Sequence, residues 1–277
     1  MAVFLALVAA FVSGAADYTG GRAAKQHPAL TVNLFAHFIS ALLLPVFVVL
    51  IGWERLHTGD LLLGFVGGIS AGTAYLIFFS ALAKGRMSVV APLAALTTAL
   101  VPVGIDVVDG ISLPGGRWVG IVVALVAIPA LAYHRDAGTA AMPLRRELIS
   151  SIGAGIGFAG FFVSVGHTST ESGQWPVAFA AMGATVATAV ICLVRRARIG
   201  PPPKLAVVTG LLLVGSGLAI NHALQLGPLG VVTVLGSMYP LATSALAYRF
   251  DREPIGRINV VGILAAVVGA ALISVYR

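Results

Sequence analysis

The chain is a succession of long apolar stretches separated by short polar connections. Each stretch is close to the roughly 20 residues that an α-helix needs to cross the hydrocarbon of a bilayer. The stretches are too long and too uniformly apolar for the alternating strands of a membrane β-barrel. The pattern therefore predicts an all-α integral membrane protein with ten transmembrane helices, numbered here as the first to tenth spans. They cover about residues 2–19, 30–52, 61–82, 88–108, 117–133, 148–166, 174–194, 205–226, 229–249 and 257–276.

The second part of the chain repeats the first. Residues 63–132 overlay residues 205–274 at a constant offset of 142 positions, without a gap. Identical pairs include Gly68/Gly210, Gly85/Gly227 and Gly120/Gly262. Because each half holds five spans, the second half enters the membrane from the opposite side, which predicts two inverted five-helix repeats. The predicted boundaries are 1–133 for the first repeat, 134–147 for a cytoplasmic linker and 148–277 for the second repeat.

Composition and charge support this interpretation. The chain is 58% hydrophobic and 10% charged, whereas soluble domains carry about 25% charged residues. Of the 17 Lys and Arg residues, 14 lie in connections after odd-numbered spans and 3 lie on the other side. By the positive-inside rule, the odd connections are cytoplasmic and both termini lie outside the cell membrane. The basic residues do not line one polar face, so we do not expect a nucleic acid partner.

Several kinds of chemistry are not expected from this sequence. A single cysteine, Cys192, excludes an intramolecular disulfide and a cysteine-based metal cluster. The stretches 68–72 and 155–160 match a hydrolase elbow and a dinucleotide fingerprint, but neither follows a predicted strand. No lysine follows the glycines of a phosphate-binding loop. We therefore predict no catalytic residues, no metal and no cofactor, and we do not expect an enzyme.

Glycines and prolines within the spans predict close packing and helix breaks. Small residues at four-residue spacing let helix backbones approach closely. The predicted packing glycines are Gly14, Gly64, Gly68, Gly72 and Gly157. Prolines interrupt helix hydrogen bonding, which makes Pro92 in the fourth span and Pro240 in the ninth candidates for helix breaks. Since the ninth span repeats the fourth, these prolines indicate a site near the interface of the two repeats.

Asp17 is the most informative polar residue within a span. A charge at the bilayer centre costs about 2.5 to 3.5 kcal/mol on insertion scales and is usually kept for function. A protonatable carboxylate could exchange a proton for a substrate or hold a substrate amine. The structural alternative is that Asp17 lies near the cytoplasmic end and pairs with Arg22 or Lys25.

Other polar side chains within spans are candidates for lining a substrate pathway. His37 enters the second span level with Asp17, so the two side chains could titrate together. Asn221 and His222 lie near the outer end of the eighth span, and we expect one of them to face a cavity. The hydroxyls of Tyr75, Thr97 and Tyr239 are further candidates, although packing is an ordinary role for each.

Two motifs are similar to those of a known family. Residues 13–21, Ser-Gly-Ala-Ala-Asp-Tyr-Thr-Gly-Gly, and residues 81–92, Ala-Leu-Ala-Lys-Gly-Arg-Met-Ser-Val-Val-Ala-Pro, resemble motifs of the EamA-like branch of the drug/metabolite transporter superfamily. A weaker copy of the second motif lies at 223–232. The resemblance implies a secondary carrier for small metabolites, often an exporter. It also implies a central cavity lined by helices 1 to 4 and 6 to 9, with helices 5 and 10 at the periphery.

The leading hypothesis is a carrier that is embedded in membrane lipid and moves a small-molecule substrate by alternating access. It is either proton-coupled or facilitative. The alternative is a non-transporting membrane scaffold or receptor-like subunit, which predicts a filled centre of the bundle. The sequence is compatible with a homodimer but does not decide the oligomeric state.

Overall fold

The computed structural model describes residues 1–51, 56–85, 87–110, 113–131, 142–251 and 256–275. Within these ranges the chain is helical and contains no strand. The helices are α1 Ala2–Gln26, α2 Ala29–Ile51, α3 Thr58–Lys84, α4 Met87–Val108, α5 Gly115–Leu131, α6 Leu144–Gly166, α7 Trp175–Val194, α8 Lys204–Leu226, α9 Leu229–Gly236, α10 Tyr239–Leu246 and α11 Arg257–Val275. A short 3-10 turn, Thr170–Ser172, joins α6 to α7, and a π-helical turn, Ala247–Asp251, extends α10.

The helices have the length and composition of membrane spans. Among the described residues, seven helical runs are long and apolar enough to cross a bilayer, and α9 with α10 counts as one of these runs. Three shorter apolar helices lie at Leu93–Val108, Gly115–Ala130 and Val260–Ile273. Large apolar side chains such as Phe4, Leu50 and Leu193 point outwards, as expected where lipid is the solvent. The prediction of an all-helical polytopic membrane protein is confirmed.

Prolines mark the starts of several helices. The helices α2, α5, α6, α8 and α9 each begin directly after a proline, namely Pro28, Pro114, Pro143, Pro203 and Pro228. Proline fixes its own φ angle and lacks an N–H group. It suits the start of a helix because backbone N–H groups there have no acceptor within the helix. The linker predicted at 134–147 lies partly outside the described residues, and α6 already begins at Leu144 within it.

The two helices with candidate proline breaks differ. The ninth span is divided, because α9 ends at Gly236 and α10 begins at Tyr239. Pro240 cannot donate the helical hydrogen bond to the carbonyl of Gly236, and the Leu241 N–H bonds back to Met238 (3.0 Å) instead. In contrast, α4 is continuous from Met87 to Val108 and so passes Pro92 without a break.

Glycines allow α3 to lie directly against α7. A Cβ atom at Gly64, Gly68 or Gly72 would come within 2.2, 1.9 or 2.7 Å of the α7 backbone. Each distance is shorter than any real contact, so only glycine permits this packing. The contacted residues are Pro176, Ala180 and Ala184, one helical turn apart on α7. The two helices therefore run in the same direction.

Gly14 and Gly157 also lie at close helix contacts. A Cβ at Gly14 would come within 2.3 Å of the Tyr239 carbonyl, and its own carbonyl accepts a hydrogen bond from Thr243 (3.1 Å). This contact joins α1 to α10 at the break in the ninth span. Gly157 on α6 faces Ala74 on α3, and its carbonyl accepts a hydrogen bond from Ser70 (2.8 Å).

Polar side chains tie further helices together. Asn33 on α2 donates from Nδ2 to the Gly72 carbonyl (2.9 Å) on α3 and to the Thr188 hydroxyl (2.8 Å) on α7. Thr19 on α1 shares a hydrogen bond with Thr209 on α8 (2.9 Å). At the other end of the bundle, Asp60 on α3 accepts a hydrogen bond from Ser172 (2.6 Å) and so holds the turn before α7.

The helices α5 and α11 pack against each other. Gly120 on α5 and Gly269 on α11 lie against one another's backbones, and buried residues of both helices, among them Ile121, Ile128 and Ile273, belong to the main core. The basic helix ends include Lys25, Lys84, Arg145, Arg195 and Lys204. Helix directions fixed by the contacts above place these ends together, and we call this end of the bundle the basic end.

Candidate functional site

A cavity of about 110 Å³ lies at the centre of the bundle. Both parts of the chain contribute to its wall, which is formed by α1, α2 and α3 on one side and by α6, α7, α8 and α9 on the other. Its lining consists of Ala9, Ser13, His37, Ser40, Leu44, Ala71, Tyr75, Phe158, Phe161, Phe162, Val177, Ala180, Ala181, Ala184, Leu213, Ser216, Gly217, Ile220 and Gly236. Most of these residues lie between the middle of their helix and the end opposite the basic end. The cavity is therefore off-centre along the membrane normal.

Small side chains create this space. Ala71 on α3, Ala180 and Ala184 on α7, and Gly217 on α8 all line the cavity. The glycine contacts described above hold α3 and α7 close together, so the space between them and α8 arises from missing side-chain volume. The break after Gly236 also reaches the cavity wall. Ser237, the next residue, is buried, and its hydroxyl has no hydrogen-bond partner among the described residues.

An aromatic cluster forms the floor of the cavity towards the basic end. Tyr75 is its centre, with ring centroids 4.7 Å from Phe158, 5.3 Å from Phe79 and 5.3 Å from His37. Phe78 extends the cluster to Tyr239 on α10, at a centroid distance of 6.4 Å. Phe78 and Phe79 are fully buried and do not line the cavity. The cluster therefore separates the open space from the basic end.

Asp17 lies just beyond this floor. It is only 4% exposed, and its Oδ1 has no hydrogen-bond partner in the described part of the chain. On α1 it follows the lining residue Ser13 by one turn, and it lies within electrostatic reach of Tyr75 and Tyr239. Asp17 forms no ion pair with a described residue, whereas Arg22 donates a hydrogen bond to the Tyr18 hydroxyl (2.8 Å). The carboxyl group is thus buried beside the cavity without a fixed partner.

His37 and Tyr75 line the cavity itself. His37 is 5% exposed, and its Nε2 is buried without a hydrogen-bond partner among the described residues. The imidazole meets the Tyr75 ring edge-on, with an angle of 60° between the ring planes. Tyr75 therefore lies close to His37, Asp17 and Tyr239. All four residues are among the candidates predicted from the sequence.

The other candidate residues lie elsewhere. Thr97 on α4 faces Gly155 of α6, and its hydroxyl donates to the Leu93 carbonyl (2.8 Å). Asn221 donates from Nδ2 to the Gly173 carbonyl (2.8 Å) and so anchors the connection before α7. His222, the next residue, is exposed on the outside of α8. None of these three side chains lines the cavity.

Comparison with known proteins decides the family. A family model for the EamA-like transporter family matches residues 1–132 and 145–275, which together cover nearly the whole chain in two halves. The chain belongs to the EamA-like transporter family. The resemblance predicted from residues 13–21 and 81–92 is thereby confirmed. The protein is a multi-pass membrane protein of a family of transporters, not of enzymes.

A solved structure shows the same fold as this EamA-like chain. Described only as "Crystal structure of protein", it matches with a TM-score of 0.77 and 16% sequence identity. The match covers 98% of this chain and 95% of the other. At this identity the likeness concerns the fold alone. No curated protein matches the chain significantly.

Several lining residues of this EamA-like protein were not among the sequence candidates. The serines Ser13, Ser40 and Ser216 and the phenylalanines Phe158, Phe161 and Phe162 belong to this group. The adjacent pair of phenylalanines in an otherwise small-residue stretch of α6 was the only available signal. In the described residues, no group of three His, Cys, Asp or Glu side chains is arranged to hold a metal ion.

Proposed function

We propose that this protein is a secondary carrier that exports a small solute by alternating access. One observation carries this proposal: a central cavity whose wall is shared by the two family-matched halves of the chain. Carriers built from repeats bind their substrate at the interface of the repeats, where rocking of one half against the other changes access. A scaffold or receptor-like subunit requires no such cavity, and the family assignment does not favour it.

We further propose ten spans arranged as two inverted repeats, because the same helix contacts occur twice. Gly68 on α3 packs against Ala180 on α7. Its overlay partner Gly210 on α8 packs against Ala36 and Ile39 on α2. The fifth helix of each half, α5 and α11, packs on its counterpart. A twofold relation that exchanges the halves accounts for all three contacts.

The proposed orientation makes this conformation outward-facing. The basic end is the cytoplasmic end by the positive-inside rule, with both termini outside the cell membrane. The cavity lies away from the basic end, and the aromatic cluster around Tyr75 closes the cytoplasmic path. Export then requires a second conformation in which this cluster separates and the opposite end closes.

Labelling from one side tests the orientation and the inversion together. In a Cys192→Ala background, Lys25→Cys marks the connection between the first two helices, and His167→Cys marks the corresponding connection of the second half. Both native side chains are exposed. An impermeant maleimide added to intact cells should label only the cysteine at position 167. Labelling of both positions from the same side contradicts the inverted repeat, and labelling of position 25 alone contradicts the orientation.

Asp17 is the proposed coupling site, with His37 as its partner. The carboxyl group can take up and release a proton at the boundary between the open cavity and the closed floor, where a conformational change alters its access to water. Tyr75 contacts the His37 ring and lies within electrostatic reach of Asp17, so a change at either group acts on the same side chain. Solute binding in the cavity and protonation of Asp17 are then thermodynamically coupled through the aromatic cluster around Tyr75.

Reconstituted protein tests this coupling. Proteoliposomes with an imposed pH gradient are screened for uptake and efflux of a metabolite panel, and the active solute is followed in Asp17→Asn protein. Gradient-driven flux should fall to background, while solute exchange without a gradient persists. Asp109→Asn is the matched control, because this carboxyl group is exposed at the end of α4. Undiminished gradient-driven flux in Asp17→Asn protein contradicts the assignment.

A further inference from the structure

The lining of the central cavity has few groups that can bind a polar ligand. Among the described residues that line it, no Asp, Glu, Lys or Arg occurs. Ser13 and Ser216 share a hydrogen bond with one another, and Ser216 also lies 3.4 Å from the Ala9 carbonyl. These two hydroxyls are therefore largely occupied by protein partners. The lining offers a ligand apolar surface and a small number of neutral hydrogen-bonding groups.

Among the described lining residues, His37 supplies the fully enclosed polar atom that lacks a hydrogen-bond partner. Its Nε2 has no hydrogen-bond partner within the described chain, although His37 is only 5% exposed. A buried polar atom of this kind costs free energy unless a ligand or water satisfies it. Nε2 either donates or accepts according to the tautomer. A ligand group that can do both, such as a primary amide, satisfies either state.

Aromatic rings line the same cavity as His37. Tyr75 and Phe158 meet edge-on with centroids 4.7 Å apart, and Phe161 and Phe162 line the same cavity from the next turn of α6. Aromatic rings attract other rings in offset or edge-on geometry, beyond the gain from apolar burial. The four rings together with His37 form a wall that suits a flat ring with one polar substituent.

We propose that the cavity binds an uncharged, planar aromatic solute whose polar substituent hydrogen-bonds Nε2 of His37. This inference rests on the proposed carrier function and specifies its substrate class. A carboxylate in the cavity would have no cationic partner, and the transfer of an unpaired charge from water into such a site costs several kcal/mol. A free ammonium group would have to reach the Asp17 carboxylate, which is not among the residues that line the cavity.

Three ligands with one phenyl ring and different charge test the substrate class. Purified protein in lipid nanodiscs is equilibrated with radiolabelled benzamide, benzoate or benzylamine, and binding to empty nanodiscs is subtracted. We expect saturable binding of benzamide, with benzoate and benzylamine at least about tenfold weaker because their charges remain unpaired. Equal or tighter binding of benzoate or benzylamine overturns the proposal. Absence of saturable binding for all three ligands also overturns it.

Variants of His37 test the anchor. His37→Phe keeps a ring beside Tyr75 but removes the nitrogen, and we expect benzamide to bind about tenfold more weakly. His37→Gln restores a group that donates and accepts, and binding should recover in part. His222→Ala is the matched control because His222 is exposed outside the cavity. Unchanged benzamide affinity in His37→Phe protein overturns the role of His37.

Flux measurements separate this inference from the proposed function. If benzamide binds saturably but is not transported in proteoliposomes, the result supports the proposed binding site and contradicts the proposed carrier function. Gradient-driven flux of a charged solute from the panel, without saturable binding of benzamide, contradicts the substrate class and leaves the carrier in place.

Discussion

The two ends of the bundle centre differ in the size of the side chains that fill it. Towards the end opposite the basic end, alanine, glycine and serine leave a cavity of about 110 Å³. Towards the basic end, Phe78 and Phe79 are fully buried, and Phe79 lies against the backbone of α1 at Gly20. A Cβ at Gly20 would lie only 2.5 Å from the Phe79 ring. Helices approach closely at both of these ends, and the distribution of side-chain volume distinguishes the open end from the closed end.

This difference indicates where a conformational change must act. The glycine contact between α3 and α7 runs alongside the open end, and its backbone packing leaves no room for adjustment. The closed end depends on aromatic side chains, which can change rotamer while the helix backbones stay in place. We therefore expect α3 and α7 to move as one unit and the ring cluster to open. Substitutions at the two ends should have different consequences.

The largest effect should follow from breaking the rigid contact. At Gly68, a Cβ would lie 1.9 Å from the Ala180 carbonyl, so Gly68→Leu should separate α3 from α7. We expect a loss of about 3 kcal/mol or more, seen as a fall in Tm of about 10 °C or as failure to fold. Gly153→Leu is the control, since a Cβ there meets nothing within 4 Å. Equal Tm values for the two variants would show that the α3–α7 contact does not control stability.

An intermediate effect should follow from opening the closed end. Phe79→Ala removes a fully buried ring, and we expect a loss of about 3 kcal/mol in the stability of this closed form. A cysteine placed by Gly21→Cys, next to Leu82, should then react about a hundredfold faster with a maleimide supplied from the basic end. The matched variant is Phe162→Ala, whose ring lines the open end. If Phe162→Ala accelerates the reaction as much, the aromatic floor is not the cytoplasmic barrier.

The smallest effect should come from the polar contact across the open end. Ser216→Ala removes the hydrogen bond to Ser13 on α1. Such bonds between membrane helices contribute about 0.6 kcal/mol on average, which corresponds to a Tm change of about 2 °C. Ser13→Ala and the double variant complete a mutant cycle. Strictly additive changes in Tm would show that the two hydroxyls do not stabilise one another.

The sequence predicted more of the fold than of the site. The helix ranges follow from hydropathy, and the glycine spacing of Gly64, Gly68 and Gly72 indicated a close contact that the structure shows. For the candidate site, Asp17, His37, Tyr75 and Tyr239 lie together, but Asn221 and His222 face different surroundings although they are adjacent. Within a uniformly apolar span, no amphipathic pattern distinguishes the inward face of a helix from the lipid-facing one.

The amino-acid order by itself determined that this chain lies in lipid, which segments form apolar helices, and to which family it belongs. These properties depend on local hydrophobicity, on proline and on short motifs, all of which act within one helix or one connection. Only the tertiary structure decided that small side chains from six helices leave a space together and that Tyr75 closes it beside His37 and Asp17. Such a cavity is missing volume shared by residues far apart in the chain, and no single segment contains it.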